Sequence, residues 1–144
     1  MFLTEENYQY KIQSYSKQDW RPLLELIPII EKITKFSEQG QIKYTEDGVM
    51  ILPHEHPHEI VDQFQYIAYD MPIIIDFDWG SWEEGRIIAR DKKNNFETVD
   101  IPTKFKLITA ITRSDRFCEG ALVNAFKSGL ILKILKSIEK QIEV

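Results

Sequence analysis

Ile101 to Ile142 reads IPTKFKLITAITRSDRFCEGALVNAFKSGLILKILKSIEKQI, and its apolar spacing decides the fold. Pro102 suits a first helical turn, after which Phe105, Ile108 and Ile111 or Thr112 recur at helical spacing as far as Ser114 and Asp115, both capping residue types. A second helix is expected to carry Phe117, Cys118, Ala121, Leu122, Ala125 and Phe126 and to stop at Gly129, unless one continuous helix runs through Ser114. A third shows Ile131, Ile134, Leu135, Ile138 and Ile142 on one face, opposite Lys133, Lys136, Ser137 and Lys140. These three helices form the expected packing centre.

Upstream, Leu23, Leu26, Ile27, Ile30, Ile33 and Phe36 recur at helical spacing between Trp20 and Gln39, with Gly40 as a stop. Ser16 or Asp19 can accept the first free amide hydrogens, Pro22 fits the opening turn, and Pro28 either kinks this helix or breaks it. Ile60, Phe64, Ile67, Ala68 and Met71 form the stripe of another helix, opened by Pro57 and closed before Pro72. Between them, Ile42 to Leu52 reads as a hairpin around T-E-D-G, closed by Pro53. Tyr8, Tyr10 and Ile12 alternate with polar residues as a half-buried strand does, with a helical alternative open. Ile73–Phe77, Arg86–Arg90 and Phe96–Val99 read as a small sheet or extended lobe around D-K-K-N-N. The expected fold class is therefore mainly α (α+β): one helical domain of about five helices with a small β-hairpin or short-strand lobe. Residues 1–19 read as an N-terminal strand or extension, and residues 20–142 as the helical core.

The 144 residues are 43% apolar and 28% charged with six Gly and six Pro, the composition of one ordinary globular domain. A formal charge of −5 and a pI near 5.2 argue against nucleic-acid binding, which rests on phosphate neutralisation by clustered Lys and Arg. Lys133, Lys136 and Lys140 form a basic strip, but Glu139 and Glu143 lie among them, so it reads as a solvated helix face. Neither a secretory signal nor an apolar run of membrane-spanning length is visible, and the cytoplasm is the expected address. A single cysteine, Cys118, excludes an internal disulfide framework and reads as a small core residue.

Several residue groups could carry chemistry. Arg113, Asp115, Arg116 and Glu119 interrupt an apolar stretch, and unpaired burial of such a charge costs about 3–5 kcal/mol. They either pair internally, with Asp115 capping a helix and Glu119 answering Arg116, or line a pocket that recognises a carboxylate or phosphate. Asp76 and Asp78 at a strand end could hold magnesium or act as a phosphoryl nucleophile, yet the long α/β alternation such an enzyme needs is missing. Trp79 and Trp82 anchor a core or, if exposed, mark a recognition surface. His54, Glu55 and His58 satisfy H-E-x-x-H, with His56 between, but Pro57 opposes the helix that zinc ligation requires, so no metal and no cofactor is expected. Since no segment supplies a coherent nucleophile, base and oxyanion set, enzyme activity is left uncertain, leaning to none.

F-D-W-G-S-W at Phe77–Trp82, L-I-T-A-I-T-R-S-D-R-F-C-E-G at Leu107–Gly120 and G-L-I-L-K-I-L at Gly129–Leu135 give the chain a resemblance. It resembles a family of small bacterial and phage proteins, a domain of unknown function without an assigned activity, from about Leu23 to Ile138. The resemblance implies a mostly helical domain in which these segments meet, and it brings no catalytic residues. The function expected is a non-enzymatic protein-interaction or regulatory module. The alternative is a small ligand-binding or hydrolase-like protein using the charged pocket around Arg113, Asp115, Arg116 and Glu119. Expected partners are a protein of unknown identity or a small anionic ligand, without nucleic acid or membrane, and self-association into a homodimer is left open.

Overall fold

A computed structural model describes residues 3–39, 41–51, 55–94, 96–118 and 120–143, apart from the side chains of Gln39 and Glu55. The expected Gly40 stop, Pro53 closure, His54 ligand and Glu119 partner lie outside the described residues. In chain order the elements are β1 (Leu3–Thr4), α1 (Tyr8–Gln13), α2 (Lys17–Leu24), α3 (Leu26–Lys32), β2 (Ser37–Gln39), β3 (Lys43–Tyr44) and β4 (Met50–Ile51). There follow β5 (Glu55–Pro57), α4 (Glu59–Asp70), β6 (Ile75–Asp76), a 3₁₀ turn at Trp79–Ser81, α5 (Glu83–Arg90), α6 (Ile101–Ser114), α7 (Ala121–Lys127) and α8 (Leu130–Glu143).

This corrects the expected fold class. The described residues form eight α-helices rather than about five, and the strands make three separate two-stranded pairs rather than one lobe. The extra helices arise where short-range pattern was ambiguous. Pro28 cannot donate a hydrogen to residue 24, so the chain breaks at Glu25 and Pro28 falls in the first turn of α3, where that hydrogen is not needed. Ser16 caps α2 through a reciprocal box with Asp19, which starts the helix three residues before Trp20 and leaves Pro22 in its interior.

Tyr8–Gln13 is helical, with Tyr8 the buried residue, so its alternation did not signal a strand. Arg86–Arg90 lies in α5, and Phe96–Val99 is a turn in which Phe96 takes φ 65° while its buried ring fills the core and its N–H donates to Asn94 Oδ1 at 2.8 Å. Pro57 belongs to β5, paired with Ser37, instead of opening α4. The helix is opened by His58, whose Nδ1 accepts the Ile60 N–H at 3.0 Å. The hairpin reading holds: β3 and β4 pair antiparallel with Tyr44 opposite Met50, and the Gly48 N–H donates to Thr45 O.

One apolar cluster joins α2, α3, α4, α6, α7 and α8, with Leu23, Ile60, Phe64, Ile108, Ile134, Leu135 and Ile138 excluded from water. Ser137, read as part of the solvated face of α8, is also buried, its hydroxyl donating to Ile134 O at 2.7 Å. The lysines of that face bind within the chain: Lys133 to Lys92 O, Lys136 to Glu31 and Lys140 to Glu97. The helix α6 is pinned to the Ile73–Ile75 segment by Thr109, whose hydroxyl accepts from Ile75 N at 3.1 Å and donates to Phe105 O at 2.8 Å. That bond fixes β6, and hence Phe77–Trp82, against the middle of α6.

Candidate functional site

Asp115 ends α6, and the chain then turns instead of starting a helix: Phe117 N and Cys118 N both donate to Ser114 O. Gly120 follows at φ 93°, a left-handed conformation that L side chains rarely adopt, and α7 begins only at Ala121. The expected helix through Phe117 and Cys118 is therefore absent. Phe117 is 83% exposed and Cys118 is an exposed free thiol, not a core residue.

The turn brings Phe117 over Trp79, ring centroids 6.1 Å apart and tilted by 35°. Trp79 also lines a cleft of about 220 Å³, together with Trp82, Gly85, Ala89, Leu107 and Ile111 among others. Trp82 lies so close to α5 that a Cβ on Gly85 would meet its ring at 2.2 Å, so the indole packs directly on helix backbone. Phe77 meets the other side of Trp82 edge-on, centroids 5.5 Å apart.

Lys106 reaches from α6 over both rings, 4.7 Å from the Trp82 centroid and 4.9 Å from that of Phe77, and pairs with Glu5 at 3.1 Å. A cation over two ring faces is attracted by their quadrupoles, by roughly 0.5–2 kcal/mol. Beyond it opens a second cleft, about 500 Å³, lined by Thr4, Glu5, Glu6, Asp76, Asp78 and Ser81 with the Phe77 and Trp82 rings. Trp82 thus separates an apolar cleft from an acidic one.

Asp76 and Asp78 stand exposed in the acidic cleft. Asp115 Oδ1 accepts the Leu122 N–H at 3.1 Å, fastening the start of α7, and the Arg116 side chain is exposed. Arg113 is half-buried at the end of α6 and carries an interaction of its own. Neither cleft is lined by Arg113, Asp115 or Arg116. His56 lies in β5 and His58 caps α4. Among the described residues no group of three or more His, Cys, Asp or Glu side chains could hold a metal ion, and no helix is long and apolar enough to cross a membrane.

Sequence reasoning missed Glu5 and Lys106, whose partners lie a hundred residues apart, and Phe117, which helical spacing placed inside. A family model matches residues 15–144. The chain belongs to DUF6508, a family of unknown function. The Trp79–Phe117 contact joins the two sequence segments that first suggested such a family, and the DUF6508 match includes Asp76, Asp78 and Lys106 but not Glu5. No curated protein and no solved structure gives a significant match to the chain.

Proposed function

We propose that the chain is a non-enzymatic interaction module that binds a basic peptide segment of a partner protein across Trp82. An apolar side chain of the partner enters the cleft lined by Trp79 and Trp82, beside Phe117, and a neighbouring Lys or Arg meets Asp76 and Asp78. The observation that carries this reading is Trp79, which lines a largely apolar cleft and packs against Phe117, a phenylalanine 83% exposed. Large exposed aromatics beside a concave apolar surface are the residues that dominate protein–protein binding energies. The net charge of −5 and the acidic second cleft favour a cationic partner over an anionic one. Cys118, exposed and unbridged, suits a reducing compartment, so a cytoplasmic address accompanies this reading.

The competing use of Arg113, Asp115 and Arg116 as an anion pocket gains no comparable support, since Asp115 is occupied with the α7 backbone. Panning a displayed random-peptide library on the purified protein tests the proposal. Enriched peptides are expected to carry an apolar residue next to Lys or Arg, and binding should fall at least tenfold in Phe117→Ser and in Asp76→Asn/Asp78→Asn. Enrichment of acidic peptides, or equal binding to Phe117→Ser, would overturn it.

A further inference from the structure

The wall between the two clefts already holds an ammonium group. Lys106 rises from α6 with 18% of its side chain exposed, its Nζ lying 4.7 Å from the Trp82 centroid and 4.9 Å from that of Phe77. The same two rings line the acidic cleft. A fixed positive charge at that wall opposes the entry of a second cation, by roughly five- to tenfold in affinity at about 8 Å and an effective dielectric constant of about 35. Glu5 answers it. Its Oε1 meets Lys106 Nζ at 3.1 Å, and Asp76 and Asp78 take no part in that pair. What holds Glu5 there is local: Leu3 and Thr4 pair with Ile75 and Asp76, and the chain then turns at once, the Thr4 N–H donating to Asn7 Oδ1 at 2.8 Å and the Asn7 N–H to Thr4 O at 3.2 Å. Tyr8, buried at the start of α1, closes that turn.

We infer that Glu5 sets the charge selectivity of the acidic cleft: by neutralising Lys106 it leaves Asp76 and Asp78 to hold a cation from the partner instead of balancing the chain's own. This rests on the basic-peptide reading above and names the residue that decides the sign of the ligand. Without Glu5 the cleft keeps its aspartates but gains an unmatched cation on its aromatic wall, and its preference for a positive side chain falls. Lys106, Asp76 and Asp78 lie within the DUF6508 match and Glu5 outside it, so the selectivity of the family's cleft is written by a residue beyond the family's own segment.

Charged thiol reagents read the potential in the cleft without any peptide, and so answer for Glu5 even where panning overturns the basic-peptide reading. Ser81, exposed and lining the cleft, becomes the reporter as Ser81→Cys, with Cys118→Ser removing the other exposed thiol. The measured quantity is the ratio of its reaction rates with trimethylammonioethyl and sulfonatoethyl methanethiosulfonate at low salt, normalised to free mercaptoethanol. The ratio should exceed one, fall roughly five- to tenfold in Glu5→Gln, rise by a similar factor in Lys106→Met, and return to within about twofold of the parent in the double variant. Glu31→Gln breaks another exposed ion pair, with Lys136, that lines neither cleft, and should leave the ratio within about twofold. A ratio untouched by Glu5→Gln, a fall in Lys106→Met, or an equal fall in Glu31→Gln would overturn the inference. So would a double variant that stays as low as Glu5→Gln, which would mean that Glu5 acts on the probe directly and not through Lys106.

Discussion

Lys104 is fully buried on α6, and its Nζ donates to Gln141 Oε1 at 2.8 Å, while Gln141 Nε2 donates to Val99 O at 2.8 Å. Burial pushes its pKa down from 10.5 to about 8, the Asp100 carboxylate opposing only part of that effect. A displacement of this size corresponds to roughly 3 kcal/mol in favour of the neutral amine in the folded chain. The unfolded chain keeps the proton up to pH 10.5 whereas the folded chain releases it near 8, so stability rises with pH across that window. Below pH 8 the whole penalty is present.

Lys104→Met keeps the stem and removes the charge, at the loss of one hydrogen bond worth about 1 kcal/mol. The variant should therefore be about 2 kcal/mol more stable at pH 7, with the difference gone by pH 10. Urea denaturation followed by tryptophan fluorescence at pH 7, 8, 9 and 10 measures this. Tyr15, whose half-buried hydroxyl donates to Met71 O and is pushed up to about 12, titrates in both proteins and cancels from the difference. A gap unchanged between pH 7 and pH 10, or a variant less stable at pH 7, would refute the reasoning.

Other substitutions probe the remaining contacts. Gly85→Ala sets a methyl group into the Trp82 ring and should cost about 2 kcal/mol despite the better helix propensity of alanine, seen as a lowered melting temperature. Thr112 Oγ1 is buried without a hydrogen-bond partner among the described residues, so Thr112→Val should stabilise the protein by about 1 kcal/mol in the same melts. Asp115→Ala frees the Leu122 N–H and should lose about 1 kcal/mol, whereas Arg116→Ala at an exposed position should stay within about 0.5 kcal/mol.

The longer helices were legible because one face of each is buried: Ile60, Phe64 and Ala68 on α4, and Ile131, Ile134, Leu135 and Ile138 on α8, all fall at helical spacing. The short ones were not. Ile87 and Ile88 in α5 carry β-branched preference that points to a strand, although Glu83 and Glu84 in the first turn and Arg90 in the last suit a helix; the packing of Trp82 on Gly85 is a contact that local pattern does not record. Asp115 was recognised as a capping residue, but the helix it secures starts six residues later because Gly120 resets the backbone. Trp79 and Trp82 stood out by type, while nothing in the local sequence singled out Lys106 and Glu5, which the fold places over the indole and in a salt bridge to that lysine.

The parallel pairing of β1 with β6 joins strands roughly seventy residues apart through only two residues of each. With so few pairs to hold it, this docking of Leu3 and Thr4 is expected to open at low cost. Glu5 and Glu6 follow directly on β1, so the acidic cleft reaches its full charge only while that strand is in place. Any cation held there and the docking of β1 must strengthen each other by the same factor.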